Sequence, residues 1–451
     1  MSQKSTLQEA AKGLSQSAGE TLDYAKKQGA DRAKIATSCS FEKRLVIESK
    51  EFTLANTQEN QKVGLLVHKD QKKGSATLNN TNTAALRSSV EDALALAKFS
   101  VADSYLTMPS GVDAPKAKAL PFMFDDKLSE LTLEELQEFA QAILTRLTKD
   151  KRVSLDKCEF SVSSSWHGLY NSLGVAQTES QTALSWSFFG MAVDGDDVSG
   201  FDYDGRQSYT WDGSYDLALK DADRFCHNVL SNLRPGKCPS YKGLILLTPR
   251  AVEEILIGTI LYHASGSSVM DGKSKWNEDV GKQVVSTALT LTDSPHNPLF
   301  SGATAFDGDG LLTFDKTIIE RGVLKMHLFD CYSANRTGKK SNAMSGGPFA
   351  LSLAKGTASV KDMRNARPEL LLVDRFSGNI DPIKGDFSGV AKSSRLIVSG
   401  KEDRPVAETM IAGNLFDALK SVTSVSDVQE LISGASLYPW VLLDGVSVSG
   451  S

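Results

Sequence analysis

Nowhere does this sequence approach the ~20 consecutive apolar residues that a membrane-spanning helix requires, and its start, MSQKSTLQEAAKGLSQSAGE, has no apolar signal core. Neither a spanning protein nor one exported by the usual route is expected, so a cytoplasmic location is the expectation. Cysteine is scarce. The five residues, Cys39, Cys158, Cys226, Cys238 and Cys331, stand singly in a chain of 451 with no CxxC pair, which argues against a disulfide scaffold and reads as reduced thiols. There is no excess of positive charge: 50 Lys and Arg face 55 Asp and Glu, a formal charge of −5. No global field exists to neutralise phosphates or hold the chain to anionic lipid, and direct contact with nucleic acid is disfavoured. What remains is ordinary globular composition, 41% hydrophobic and 23% charged with 35 Gly and 13 Pro, in a chain long enough for two or three domains.

Catalytic signatures are missing too. A helical zinc protease site needs two histidines one turn apart with a glutamate beside them, and none of the six histidines is so placed. His263, His296 and His327 share the last third of the chain, and His327 with Cys331 has i, i+4 spacing. A cryptic metal site is one reading of these; isolated, hydrogen-bonded histidines are the other. DGKSKW at 271–276 contains a GKS, but Ser267 stands where a phosphate loop needs glycine, so a surface turn is favoured. The acidic run DGDDVSGFDYDG at 194–205 fails the calcium-loop register at Ser199 and Gly205. AFDGDG at 305–310, with Asp307 and Asp309, reads as a turn on its own. No GxSxG elbow occurs, so a serine or cysteine hydrolase cannot be argued from motif.

The order of elements carries more. Leu14, Ala18, Leu22 and Ala25 fit one helical face ending at Gly29, five short β-rich runs follow between Ala33 and Asn80, and Leu86, Val90, Ala93, Leu94 and Ala97 restore helical spacing. Pro109, Pro115 and Pro121 mark a connector. Thr132 and Glu135 then form a capping box ahead of Leu136, Phe139, Ile143, Leu144 and Leu147, strand-like runs recur, and a helix over 217–233 closes the unit. Helix, strands, helix thus occurs twice. The fold class predicted is α+β: two related N-terminal units, each with helices on an antiparallel sheet, at 1–106 and 127–238, joined by a connector at 107–126 and followed by a β-dominated domain at 239–451.

Within that last domain, TAFDGDGLLTFDKTIIERGVLKMHLFDCYSANRTGKKSNA at 304–343 and DRFSGNIDPIKGDFSGVAKSSRLIVSGKEDRPVAETMIAGNLFDAL at 374–419 resemble the TldD/PmbA family. YNSLGV at 170–175 and KKQGADRAKI near the start extend the likeness to nearly the whole chain. TldD-type chains of that family carry His-Glu-x-x-x-His just after the strand that opens the last domain, and a cysteine near the C-terminus as third metal ligand. Here Thr248, Pro249 and Glu253 follow GLILL in those positions, and LISGASLYPW offers Ser433 and Ser436 but no cysteine. The resemblance therefore implies a TldE/PmbA-type chain with no catalytic residue and no metal of its own, zinc being expected on a TldD-type partner subunit. It implies that unfolded or leader peptides lie as an added strand in a shared channel, with proteolysis at the partner. Gly385, Gly389, Gly413 and Asn414 are candidates for close backbone approach to such a peptide, tight turns being the other reading. The competing reading of the whole is a peptide-binding or regulatory homodimer, of the modulator-of-DNA-gyrase type.

Overall fold

The structure is a computed structural model and describes residues 3–407 and 409–450. Helix α1 (Gln3–Lys27) buries Leu7, Ala11, Leu14, Ala18, Leu22 and Ala25 along one stripe, the i, i+3/i+4 spacing of an amphipathic helix. Strands β1 (Arg32–Glu48), β2 (Glu51–Lys69) and β3 (Lys72–Leu78) form an antiparallel meander, and α2 (Thr83–Phe99) follows, its first turn capped by the Asn82 side chain accepting from Ala85 N at 2.8 Å. Five runs were expected where three strands occur. Glu42, Lys43 and Arg44 on β1 face Gln58, Thr57 and Asn56 on β2, so the polar residues that looked like interruptions sit within one long hairpin whose backbone ladder does not depend on side-chain polarity.

The second unit repeats the order. After a short α3 (Asp126–Glu130) comes α4 (Leu133–Leu147), opened by the capping box: Thr132 Oγ1 accepts from Glu135 N at 3.1 Å and Glu135 Oε2 from Thr132 N at 2.7 Å. Strands β4 (Val153–Asn171), β5 (Ala176–Asp194), β6 (Asp197–Val198) and β7 (Asp202–Ser208) precede α5 (Asp216–Ser231). Because β1 also pairs antiparallel with β4, the two units share one seven-stranded sheet in the order β3-β2-β1-β4-β5, with β6 and β7 both on β5. All four long helices cover the same face. Ile35 packs with the α1 and α2 cluster, Cys39 and Trp166 with the N-terminal half of α1, and Leu45, Phe160 and Trp186 with α4 and α5. The alternate residues Ser38, Ser40, Ser163 and Ser165 point to the other face, as the two-residue period requires.

The third region opens with β8 (Tyr241–Leu247), part of a thirteen-stranded mixed sheet in which Glu369–Val373 pairs with it in parallel and Ser436–Ser449 antiparallel. Ile245, Leu246 and Leu247 are fully buried. Neighbouring residues enter opposite clusters, Ile245 and Leu247 one and Leu246 the other, which is why GLILL reads as an unbroken apolar run. The turn at 305–310 fastens this region to the open face of the first sheet: Lys34 Nζ donates to Asp309 Oδ1 at 2.9 Å, and Gln177 Nε2 to Gly310 O at 2.9 Å. Among the described residues no helix is long and apolar enough to cross a membrane.

Candidate functional site

At the end of β8 the chain turns into a helix start. Thr248 Oγ1 donates to Asp374 O at 3.1 Å and accepts from Ala251 N at 3.4 Å, capping α6 (Pro249–Val252), and Pro249 fills the first position, where no N–H is needed. One π-helical turn, Glu253–Ile257, then leads into α7 (Gly258–Ala264); such turns recur at functional sites. Thr248, Pro249 and Glu253 all line one cavity of about 530 Å³ between the middle unit and the third domain. Ser433 lines it too, and Ser436 lies beside Glu253. The five positions singled out by motif, about 180 residues apart along the chain, are therefore brought together.

The cavity is strongly charged. Arg224, from α5, forks onto Asp204 at 2.6 and 2.7 Å; Arg250 reaches Asp202 at 2.8 Å and Asp374 at 3.3 Å. Arg364 and Arg395 share Asp403. Glu254 accepts from Tyr203 Oη at 3.1 Å and Phe376 N at 2.5 Å, with Arg375 3.9 Å away. Glu253 is different. Among the described residues it has no ion pair, and the side chain beside it is that of Ser436, which also neighbours the buried Tyr438. Burial pushes the Glu253 pKa above the ordinary carboxylate range, with the neighbouring Glu254 adding to it, and burial raises Asp374 to about 6.

This donor set does not fit zinc. Thr248 spends its hydroxyl on the helix cap, Pro249 has no donor, and one carboxylate beside a serine replaces the imidazoles and thiolate that hold the ion tightly. Among the described residues no three His, Cys, Asp or Glu side chains converge on a point that could hold a metal ion. The histidines of the third domain are each engaged separately: His263 Nε2 with Pro382 O at 2.7 Å, His296 Nε2 with Thr313 Oγ1 at 2.9 Å, and His327 Nε2 with Trp276 O at 3.0 Å. The i, i+4 pairing of His327 with Cys331 is not helical, because the helix Cys331–Thr337 begins only after Asp330, its N-cap. The acidic run over 194–205 disperses in the same way, Asp194 going to Arg234, Asp202 to Arg250 and Arg375, and Asp204 to Arg224. Asp307 accepts backbone N–H groups of Asp309, Leu311 and Ser345, and so builds its own turn.

Gly385, Gly389, Gly413 and Asn414 lie elsewhere in the third domain, on the strands Asp386–Lys392 and Met410–Asn414 and the turn before them, and none lines this cavity. Gly389 faces Gly378 across the ladder so closely that a Cβ would stand 2.4 Å from the opposite Cα, and Gly385 has φ +84°. Asn414 caps the helix Leu415–Lys420. Arg224, Arg364, Arg395, Glu430 and Trp440, which complete the cavity, carry no motif and were not foreseen.

Residues 240–450 match the sequence profile of the PmbA/TldA metallopeptidase C-terminal domain. Over 426 residues the chain is 27% identical to a protein named Metalloprotease PmbA homolog from Haemophilus influenzae, covering 90% of this chain and 88% of that one. Residues 240–450 belong to the PmbA/TldA metallopeptidase family, and the likeness to PmbA relatives runs along nearly the whole chain. Two solved structures share its fold: TldE from Thermococcus kodakarensis, at TM-score 0.84 and 21% identity over 96% of this chain and 100% of that one, and a putative modulator of DNA gyrase from Bacteroides thetaiotaomicron, at 0.84 and 23% over 97% and 98%. Within the TldD/PmbA family the likeness is to the PmbA and TldE type.

Proposed function

We propose that this chain is the non-catalytic subunit of a two-subunit metallopeptidase, holding unfolded peptides for a metal-bearing TldD-type partner in the cytoplasm. One observation carries the reading: where the family resemblance locates the metal ligands, the chain has a roomy cavity whose groups at 248, 249, 253 and 433 are a capping hydroxyl, a proline, a carboxylate and a serine. Such a set keeps the shape of a peptide site without the Lewis acid that would activate water. Hydrolysis would then belong to the partner, and this chain's contribution is to bind and orient.

The test has two parts. The purified chain is expected to hold no stoichiometric zinc and to cleave no unfolded peptide alone, and to form a complex with a TldD-type chain from the same source that does cleave. Metal analysis finding about one tightly held zinc per chain, lost on replacing His263, His296 or His327, overturns the reading. A chain that forms a homodimer and ignores every TldD-type chain points instead to the regulatory reading, which the gyrase-modulator description of a structural neighbour keeps in view.

A further inference from the structure

Four arginines and six carboxylates line the cavity at Glu253. Every arginine already has an anionic partner, as do Asp204, Asp374 and Asp403, while Glu254 has Arg375 within 4.0 Å. Two carboxylates are left. Among the described residues the half-buried Glu253 has no ion pair and lies beside Ser436, and Glu430, at the exposed rim, accepts from the indole Nε1 of Trp440 at 3.2 Å, with Arg224 beyond ion-pair distance. Neither has a cation against it, although the space between the walls is large enough to admit a long side chain. The remaining walls suit such a stem: Pro249, Leu372, Leu431 and Ile432 are apolar, and Trp440 adds an aromatic face. Methylenes along an apolar wall with a charged head reaching carboxylates is how lysine and arginine bury themselves, and a guanidinium or ammonium beside an indole gains further from the ring.

We propose that this cavity is a side-chain subsite for a basic residue of the bound peptide, an arginine or lysine whose cationic head is taken by Glu253 and Glu430 while its stem lies on Leu372, Leu431 and Trp440. The inference rests on the peptide-positioning reading above and adds the chemistry of what is positioned. An acidic side chain is disfavoured by the same accounting, since every arginine has a carboxylate partner and the two groups without an ion pair are negative.

Fluorescence anisotropy on the full chain tests this with a labelled, unstructured Gly-Ser peptide carrying one central arginine, against the same peptide carrying citrulline, the neutral isostere, and against free agmatine as competitor. The arginine peptide is expected to bind about tenfold or more tightly than the citrulline peptide, a charge-assisted preference that weakens at high ionic strength. Glu253→Gln and Glu430→Gln should each reduce the preference for arginine over citrulline; both keep an acceptor for Ser436 or Trp440, and unchanged thermal melting confirms that they fold. Equal affinity for the two peptides overturns the inference while the peptide-positioning reading stands. Binding of agmatine with no binding of either peptide assigns the cavity to a free guanidine and overturns the peptide source. Failure to bind any of the three overturns both proposals together.

Discussion

His68 and His263 are both buried, yet their surroundings differ in one decisive respect. His263 is satisfied as a neutral ring, donating from Nε2 to Pro382 O at 2.7 Å and accepting from Lys275 N at Nδ1 at 3.1 Å. His68 is 6% exposed, its Nδ1 has no hydrogen-bond partner, and burial, reinforced by Arg32, Lys34 and Lys73, lowers its pKa to about 4. An unfolded histidine titrates near 6.5, so below that pH the unfolded chain binds a proton that the folded chain resists. Stability from this residue is fully present above about pH 6.5 and is lost as the pH falls towards 4, by at most about 3 kcal/mol. Urea unfolding of the wild type and His68→Gln at a series of pH values should show a shallower decline in the variant over that window. An identical slope would remove His68 from the account and leave the decline to other groups, among them His167, His263 and His327, which burial also lowers.

At the scale of elements, α5 ties the site to the second unit through a single buried carboxylate. Asp221 is 1% exposed and accepts from Arg206 Nε and Nη2 at 2.9 Å each and from Trp186 Nε1 at 3.1 Å, while Arg224, one turn on, reaches it at 2.9 Å and continues to Asp204 at the cavity wall. Asp221→Ala would strand the buried Arg206 guanidinium and is expected to cost about 3–5 kcal/mol, with Asp221→Asn losing less because one acceptor oxygen remains. Urea midpoints decide it, and a loss below about 1 kcal/mol for the alanine variant would mean that the network is inert. How much of this could be read beforehand follows from where the information lies. The Thr132–Glu135 capping box is local, and it is present as predicted. Thr248, Pro249, Glu253 and Ser436 could be singled out because a family motif fixes their spacing. Arg224, Glu430 and Trp440 could not, because only the pairing of distant strands and the docking of α5 brings them to the same wall. For the same reason β1 and β2 read as several short runs. Nothing local says that Glu42 to Arg44 continue a ladder whose partners are fixed some distance along the chain.

For the whole molecule, the shared sheet makes the first two units interdependent. β1 pairs with β4 from Lys34↔Asn171 to Glu48↔Lys157, and Leu45 and Ile47 of β1 belong to the core built by α4 and α5 rather than to that of α1 and α2. A fragment ending at residue 126 would therefore expose one complete strand edge together with two apolar side chains that have nowhere else to pack, the condition under which sheets associate wrongly. A fragment ending at residue 238 keeps all seven strands and all four long helices. It loses the contacts of the third domain: the 305–310 turn over Leu169 and Val175, the bond of Gln177 to Gly310, and the pairs across the cavity such as Asp202 with Arg250 and Tyr203 with Glu254. The longer fragment should consequently melt cooperatively by circular dichroism at a temperature below that of the full chain, and the shorter one should show no cooperative transition or should aggregate. A monomeric 1–126 fragment with a sharp thermal transition would show that the first unit stands without its neighbour, and that the β1–β4 ladder joins two finished domains instead of completing one.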